Sequence, residues 1–170
     1  MKSGQREIAM IRSASRLIMI ASGIVMLPAM VMSDGAEAPY PEGYRHWTHI
    51  KSAYIGEGSA AFKRFGGMHH IYANREAMEG YRTGRFPPGS VLVFDLLDAS
   101  SSDKGVEPGA RKFVDIMWKN PSPAGGWVFG EFDRDSRTVR NVTAAQGVAQ
   151  CQSCHDKAGA TDGVFSKFTP

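Results

Sequence analysis

The chain has 170 residues, 42% of them hydrophobic, which supports one compact core and argues against two. Its formal net charge is +3, and the basic residues are scattered without the clustered stripe of a nucleic-acid surface, so no nucleic-acid partner is expected. Both cysteines fall inside one five-residue stretch, which leaves none for a disulfide framework.

The N-terminal segment does not read as part of the core. Lys2, Arg6, Arg12 and Arg16 precede an apolar run from Leu17 to Met32, and Ala36-Glu37-Ala38 follows as a small-residue cleavage site. A basic start, an apolar middle of roughly 7–15 residues and an Ala-x-Ala end are the parts of a secretory signal. Residues 1–38 are therefore expected to be a signal peptide cut after Ala38, and residues 39–170 a single periplasmic domain. The competing reading is an uncleaved membrane anchor, which the run could just support, since a spanning helix needs about 17–25 residues.

Beyond that segment, alternation of apolar and polar residues predicts strands over Arg45–Tyr54, Met68–Ala73, Ser90–Leu97, Lys112–Trp118 and Trp127–Asp133. Their short connections favour antiparallel neighbours over parallel crossovers. Asn74 is placed to cap a short helix through Tyr81, with Gly84 as its stop. The Ser-rich stretch Ala99 to Gly109 reads as a solvated loop. From Thr143 to Lys157 the alternation is lost and a helix is expected. Trp47, Trp118 and Trp127 sit within strand patterns and are assigned to packing.

Cys151-Gln152-Ser153-Cys154-His155 lies in that last helix and matches the attachment sequence of c-type haem, one haem per chain. Two intervening residues bring both sulfurs to one side of a helical turn, where the thiols add to the haem vinyl groups and the next imidazole ligates iron. A thioredoxin-like pair, a zinc site and a small disulfide loop compete. The first is expected beside a βαβ unit, the second needs about four ligands, and the third closes too small a loop to stabilise much. The expected fold is α+β, mainly β: an antiparallel sheet with a short helix and a C-terminal haem-bearing helix.

Over about residues 44–170 the chain resembles the cytochrome P-460 and cytochrome c′-beta family of exported haem proteins. The resemblance is carried by YRHWTHIKS at 44–52, HHIYANREAMEGYRTGRFPPGSVLVFDLL at 69–97, GGWVFGEFD at 125–133, and the ending CQSCHDKAGATDGVFSKFTP, with its Thr161-Asp162-x-Val164-Phe165 tail. It implies a β-rich haem domain that pairs as a homodimer. In the hydroxylamine-oxidising members a lysine cross-linked to haem follows a Gly-Ser/Thr-Val-x-Val run. Here Gly89 to Val93 is that run, and Phe94 stands in the lysine position. This resembles the cytochrome c′-beta branch, whose distal haem face is capped by two phenylalanines, and Phe65 is then the second. Lys112 belongs to another predicted strand and is no substitute.

His69 and His70 are strand neighbours and must point to opposite faces, so at most one serves the site. His69 aligns with a polar distal position of the family and is the candidate acid or base, although either histidine read alone belongs at the surface, as do His46 and His49. Arg111 and Lys112 are candidates for the haem propionates. An open iron beneath an apolar cap favours nitric oxide or carbon monoxide, because dioxygen gains charge on binding and needs a donor. A gas-binding protein is thus the first functional expectation. An oxidoreductase acting on hydroxylamine or peroxide is the second, and an electron carrier with its own redox partner and a sixth ligand from Met68 or Met117 the third.

Overall fold

The computed structural model describes residues 35–122 and 125–170. The apolar run of the expected signal lies outside the described residues. Within them no helix is long and apolar enough to cross a membrane.

Six strands form one antiparallel sheet in chain order: β1 Thr48–Ile55, β2 Gly67–Ala73, β3 Val91–Ser102, β4 Gly105–Lys119, β5 Trp127–Asp133 and β6 Arg140–Val142. Five of these correspond to the predicted strands, β5 with the predicted limits and the other four with shifted ends. The segment at 44–47 opens as a 3₁₀ turn, Tyr44–His46, before β1 begins. Residues 99–109 are not a loop, because β3 and β4 run on as a hairpin turning between Ser102 and Gly105.

Short helices fill two of the connections: α1, Phe62–Phe65, precedes β2, and α2, Arg75–Thr83, follows it. Asn74 caps α2 as expected, its side-chain oxygen accepting from Ala77 N, and the same oxygen accepts from Val91 N at the start of β3. Gly84 then leaves the helix at φ 81°, a left-handed turn natural to glycine.

Strand alternation divides the side chains between two faces. One face carries Val93, Val114, Ile116 and Phe132, covered by Ala38, Tyr40 and Tyr44 from the N-terminal segment. Ala38 is fully buried there, and the Glu37 carboxylate accepts from Ala144 N. On the opposite face, Ile50, Ala73, Leu92 and Met117 pack under α2, Phe86, Val164 and Phe168. The remainder of that face, toward β5 and β6, is left to the C-terminal helical segment.

Candidate functional site

The C-terminal segment begins with α3, Ala144–Gly147, opened by a reciprocal cap in which Thr143 Oγ1 accepts from Gln146 N and Gln146 Oε1 accepts from Thr143 N. A π-helical turn, Val148–Gln152, follows, then α4, Ser153–His155, and a 3₁₀ stretch, Asp156–Thr161. Cys151 thus sits on a widened turn, a backbone form that recurs at functional sites. The segment presses hard on β5. A Cβ added at Gly147 would stand 2.8 Å from both the Cβ and the carbonyl oxygen of Phe129, so only glycine permits this approach.

Both cysteines are free thiols, Cys154 exposed and Cys151 half-buried. His155 packs between Phe129 and Phe165, with ring centroids 4.9 and 5.1 Å away. Its Nδ1 lies 2.7 Å from the carbonyl oxygen of Gly163. A carbonyl only accepts, so Nδ1 carries the proton and Nε2 keeps a free lone pair. Two thiols and an imidazole held in that tautomer are the donor set a c-type haem requires. The residues fit the group: Cys151 and Cys154 would hold its vinyl carbons and His155 its iron. The rival zinc reading lacks partners, since among the described residues no group of three or more His, Cys, Asp or Glu is arranged to hold a metal ion.

Phe94 lies on the same sheet face, as does His69. Phe65, from the end of α1, meets Phe94 edge-to-face at 5.7 Å and Phe113 at 6.2 Å. His69 stacks on Phe94 at 4.6 Å with 22° between the planes. It is only 7% exposed, against the surface position expected for it alone, and its Nδ1 has no hydrogen-bond partner. Burial, with Lys51 and His70 adding to it, lowers its pKa to about 4, so the ring is neutral near neutral pH. His70 points the other way, its Nδ1 2.6 Å from Ser52 Oγ, which also meets His49 Nε2 at 2.8 Å.

One part of the site was not anticipated. Phe94, Asp115 and Glu131 are register partners across β3, β4 and β5, so they form a row on the same face. Burial pushes the Asp115 carboxyl well above the usual carboxylate range. The charge of Glu131 and a hydrogen bond to it push in the same direction, while Arg64 opposes them. Two carboxylates this close favour keeping a proton between them. Glu131 is held by Arg64 Nη2 at 2.6 Å and Asn141 Nδ2 at 2.9 Å. The guanidinium of Arg64 also lies over the rings of Phe65 and Phe113. Cys151 is near enough to feel this group: burial raises its thiol pKa first, and the charge of Asp115 next. The signal was legible in principle, because Asp115 interrupts the apolar stripe Phe113-x-Asp115-x-Met117 and Glu131 ends the stripe Trp127-x-Phe129-x-Glu131.

Other candidates are engaged in contacts of their own. Arg111 is committed to Asp95 and Asp135, away from the cysteine motif. Lys112 Nζ donates to the carbonyl of Gly66 at 2.9 Å. Met68 pairs with Tyr54 and Leu97, on the face opposite His69, and Met117 packs against the second core cluster. The three tryptophans pack as expected, and Trp127 Nε1 also donates to the carbonyl of Asp162 at 2.6 Å.

No curated protein matches the chain. A family model does: Cytochrome P460, over residues 41–166. That span takes in all six strands, the aromatic cluster, the carboxylate pair and the cysteine motif, and with it the chain belongs to the cytochrome P460 family, a family of haem-binding cytochromes.

Proposed function

We propose that this is an exported, periplasmic mono-haem cytochrome of the c′-beta branch, working as a homodimer and binding a small gas, nitric oxide above all, at an iron held by His155. The haem is bonded to Cys151 and Cys154. The observation that carries the reading is the packing of Phe94. At the position where the hydroxylamine-oxidising relatives carry a lysine, this chain has an aromatic ring set edge-to-face on Phe65. Such a pair supplies no amine for a cross-link and no donor for a ligand that gathers charge. Nitric oxide and carbon monoxide need neither.

Titration of the ferrous holoprotein with nitric oxide tests this. A stoichiometric change in the visible spectrum is expected, and an unchanged spectrum refutes the reading. Analytical ultracentrifugation tests the homodimer.

A second reading is favoured by the pair Asp115–Glu131. A carboxyl that holds its proton more tightly than usual is a proton donor, and a neighbouring carboxylate is its acceptor. In an oxidoreductase acting on hydroxylamine or peroxide, this pair, with His69 as a further acid or base, would move the protons of the reaction. Turnover of either substrate that falls at least about tenfold in Asp115→Asn would favour this reading over gas binding. An electron carrier is supported less, since Met68 lies on the face opposite His69 and Met117, on the site's own face, is packed into the second core cluster.

A further inference from the structure

The turn that follows the cysteine motif is tied to the sheet by the packing of Val164 and by the polar contacts of one residue, Asp162. Its backbone is left-handed at φ 52° and ψ 39°, a conformation that aspartate tolerates better than most side chains. Its carboxylate accepts from Lys119 Nζ at 2.9 and 3.0 Å and from the backbone N of Phe86 at 3.0 Å. Its backbone carbonyl accepts from Trp127 Nε1 at 2.6 Å. Lys119 and Trp127 are direct register partners at the end of the β4–β5 pair, and the Lys119 ammonium lies 4.9 Å from the Trp127 ring. The side chain and the main chain of Asp162 are therefore gripped by two facing residues of one rigid ladder. The very next carbonyl, that of Gly163, accepts from His155 Nδ1.

A hydrogen bond from Nδ1 raises the electron density at Nε2 and fixes the ring's rotation, so its strength tunes what the imidazole gives to a metal. A carbonyl on a free C-terminal tail would swing and lengthen that bond.

We propose that Lys119, Asp162 and Trp127 form a clamp that fixes the Gly163 carbonyl against His155 and so sets the strength of the axial bond and the ferric–ferrous balance of the haem. All three are positioning residues. The inference rests on the reading of His155 as the iron ligand. Loosening the clamp weakens the Nδ1 bond, makes the imidazole a poorer donor, and favours the ferrous form.

The test uses the haem-loaded protein, with the iron–histidine stretch in the ferrous resonance Raman spectrum and a redox titration as readouts. Lys119→Met removes the ion pair, and Trp127→Phe removes only the indole donor while keeping an aromatic ring. Both are expected to lower the stretching frequency and to shift the ferric–ferrous equilibrium toward the ferrous form by about tenfold, the lower end of the range for outer-shell changes. Lys119→Arg should restore both values, and Lys157→Ala, at an exposed residue outside the clamp, should leave them alone. Unchanged frequency and equilibrium in both Lys119→Met and Trp127→Phe overturn the clamp, as does an equal shift in Lys157→Ala. A wild-type ferrous protein that is high-spin and five-coordinate yet shows no iron–histidine stretch overturns the ligand reading itself, and the clamp with it, which distinguishes the two failures.

Discussion

His69 is buried without a partner for Nδ1, and its titration carries a defined energetic consequence. An unfolded histidine takes up its proton near pH 6.5, whereas His69 in the fold does so only at about 4. Between those values the unfolded chain binds the proton and the folded one does not. Stability contributed by the neutral ring is therefore present above pH 6.5 and lost as pH falls toward 4. At about 1.4 kcal/mol per unit, the loss is limited to about 3 kcal/mol, and about 2 kcal/mol of it should have appeared by about pH 4.5. His69→Phe keeps an aromatic ring against Phe94 and deletes both the titration and the unpaired nitrogen. Urea unfolding of wild type and variant at about pH 7 and about pH 4.5 should show the wild type losing about 2 kcal/mol more than the variant, since other groups contribute equally to both. At neutral pH the variant should be at least as stable as wild type. Equal losses in the two proteins would show that His69 is solvated or paired, and the argument from its burial would fail.

The carboxylate pair carries the opposite sign. Because Asp115 holds its proton more tightly in the fold, its stabilisation is full below the unfolded value of 3.8 and is lost as pH rises through its raised folded value. Asp115→Asn should flatten that decline with rising pH in denaturant melts. Asn74→Ala removes the acceptor for both Ala77 N and Val91 N and should cost about 1–2 kcal/mol in urea unfolding. Gly147→Ala forces a methyl to within 2.8 Å of Phe129 and should cost about 1–3 kcal/mol by the same measure. A chain begun at Pro39 would lack buried Ala38 and the Glu37 contact with Ala144 N, losing about 1–2 kcal/mol. Mass spectrometry of the mature N-terminus tests the expected cut after Ala38, because a start upstream of Glu37 would keep both contacts.

The elements most legible in the sequence were those with one solvated and one buried face. Met68–Ala73 shows that alternation and forms a strand within one residue of those limits, while Trp127–Asp133 forms with the expected limits although both of its faces are buried. The hairpin across residues 99–109 reads as a loop in the sequence because both of its faces are exposed and its side chains carry no apolar period, although its two strands pair from Ala99–Pro108 to Ser102–Gly105. Strand β6 has only three residues, too few for any period to appear. The cysteine motif was legible because its chemistry depends on spacing within a single turn. The grouping of Asp115, Glu131 and Arg64 depends on strand register and on the reach of α1, and the hydrogen bond from His155 depends on how the chain turns at Gly163. Neither is a local property of the sequence.

These two long-range features act on opposite needs of one centre. The clamp at Asp162 is built from a satisfied ion pair and a backbone bond, arrangements that hold a geometry and resist movement. The Asp115–Glu131 pair is the reverse, with its proton held by burial and by the Glu131 charge against the Arg64 charge that opposes them. A protein that only stored a gas beneath phenylalanines would gain nothing from a buried acid on the same sheet face, since an apolar residue there would pack without the desolvation cost. The nitric oxide titration and the Asp115→Asn variant should therefore be combined. If the variant binds the gas as wild type does and is more stable, the acid is kept for a reaction that consumes protons. If binding itself weakens, the acid belongs to the gas site, and the cap of Phe65 and Phe94 is less apolar in effect than its two rings suggest.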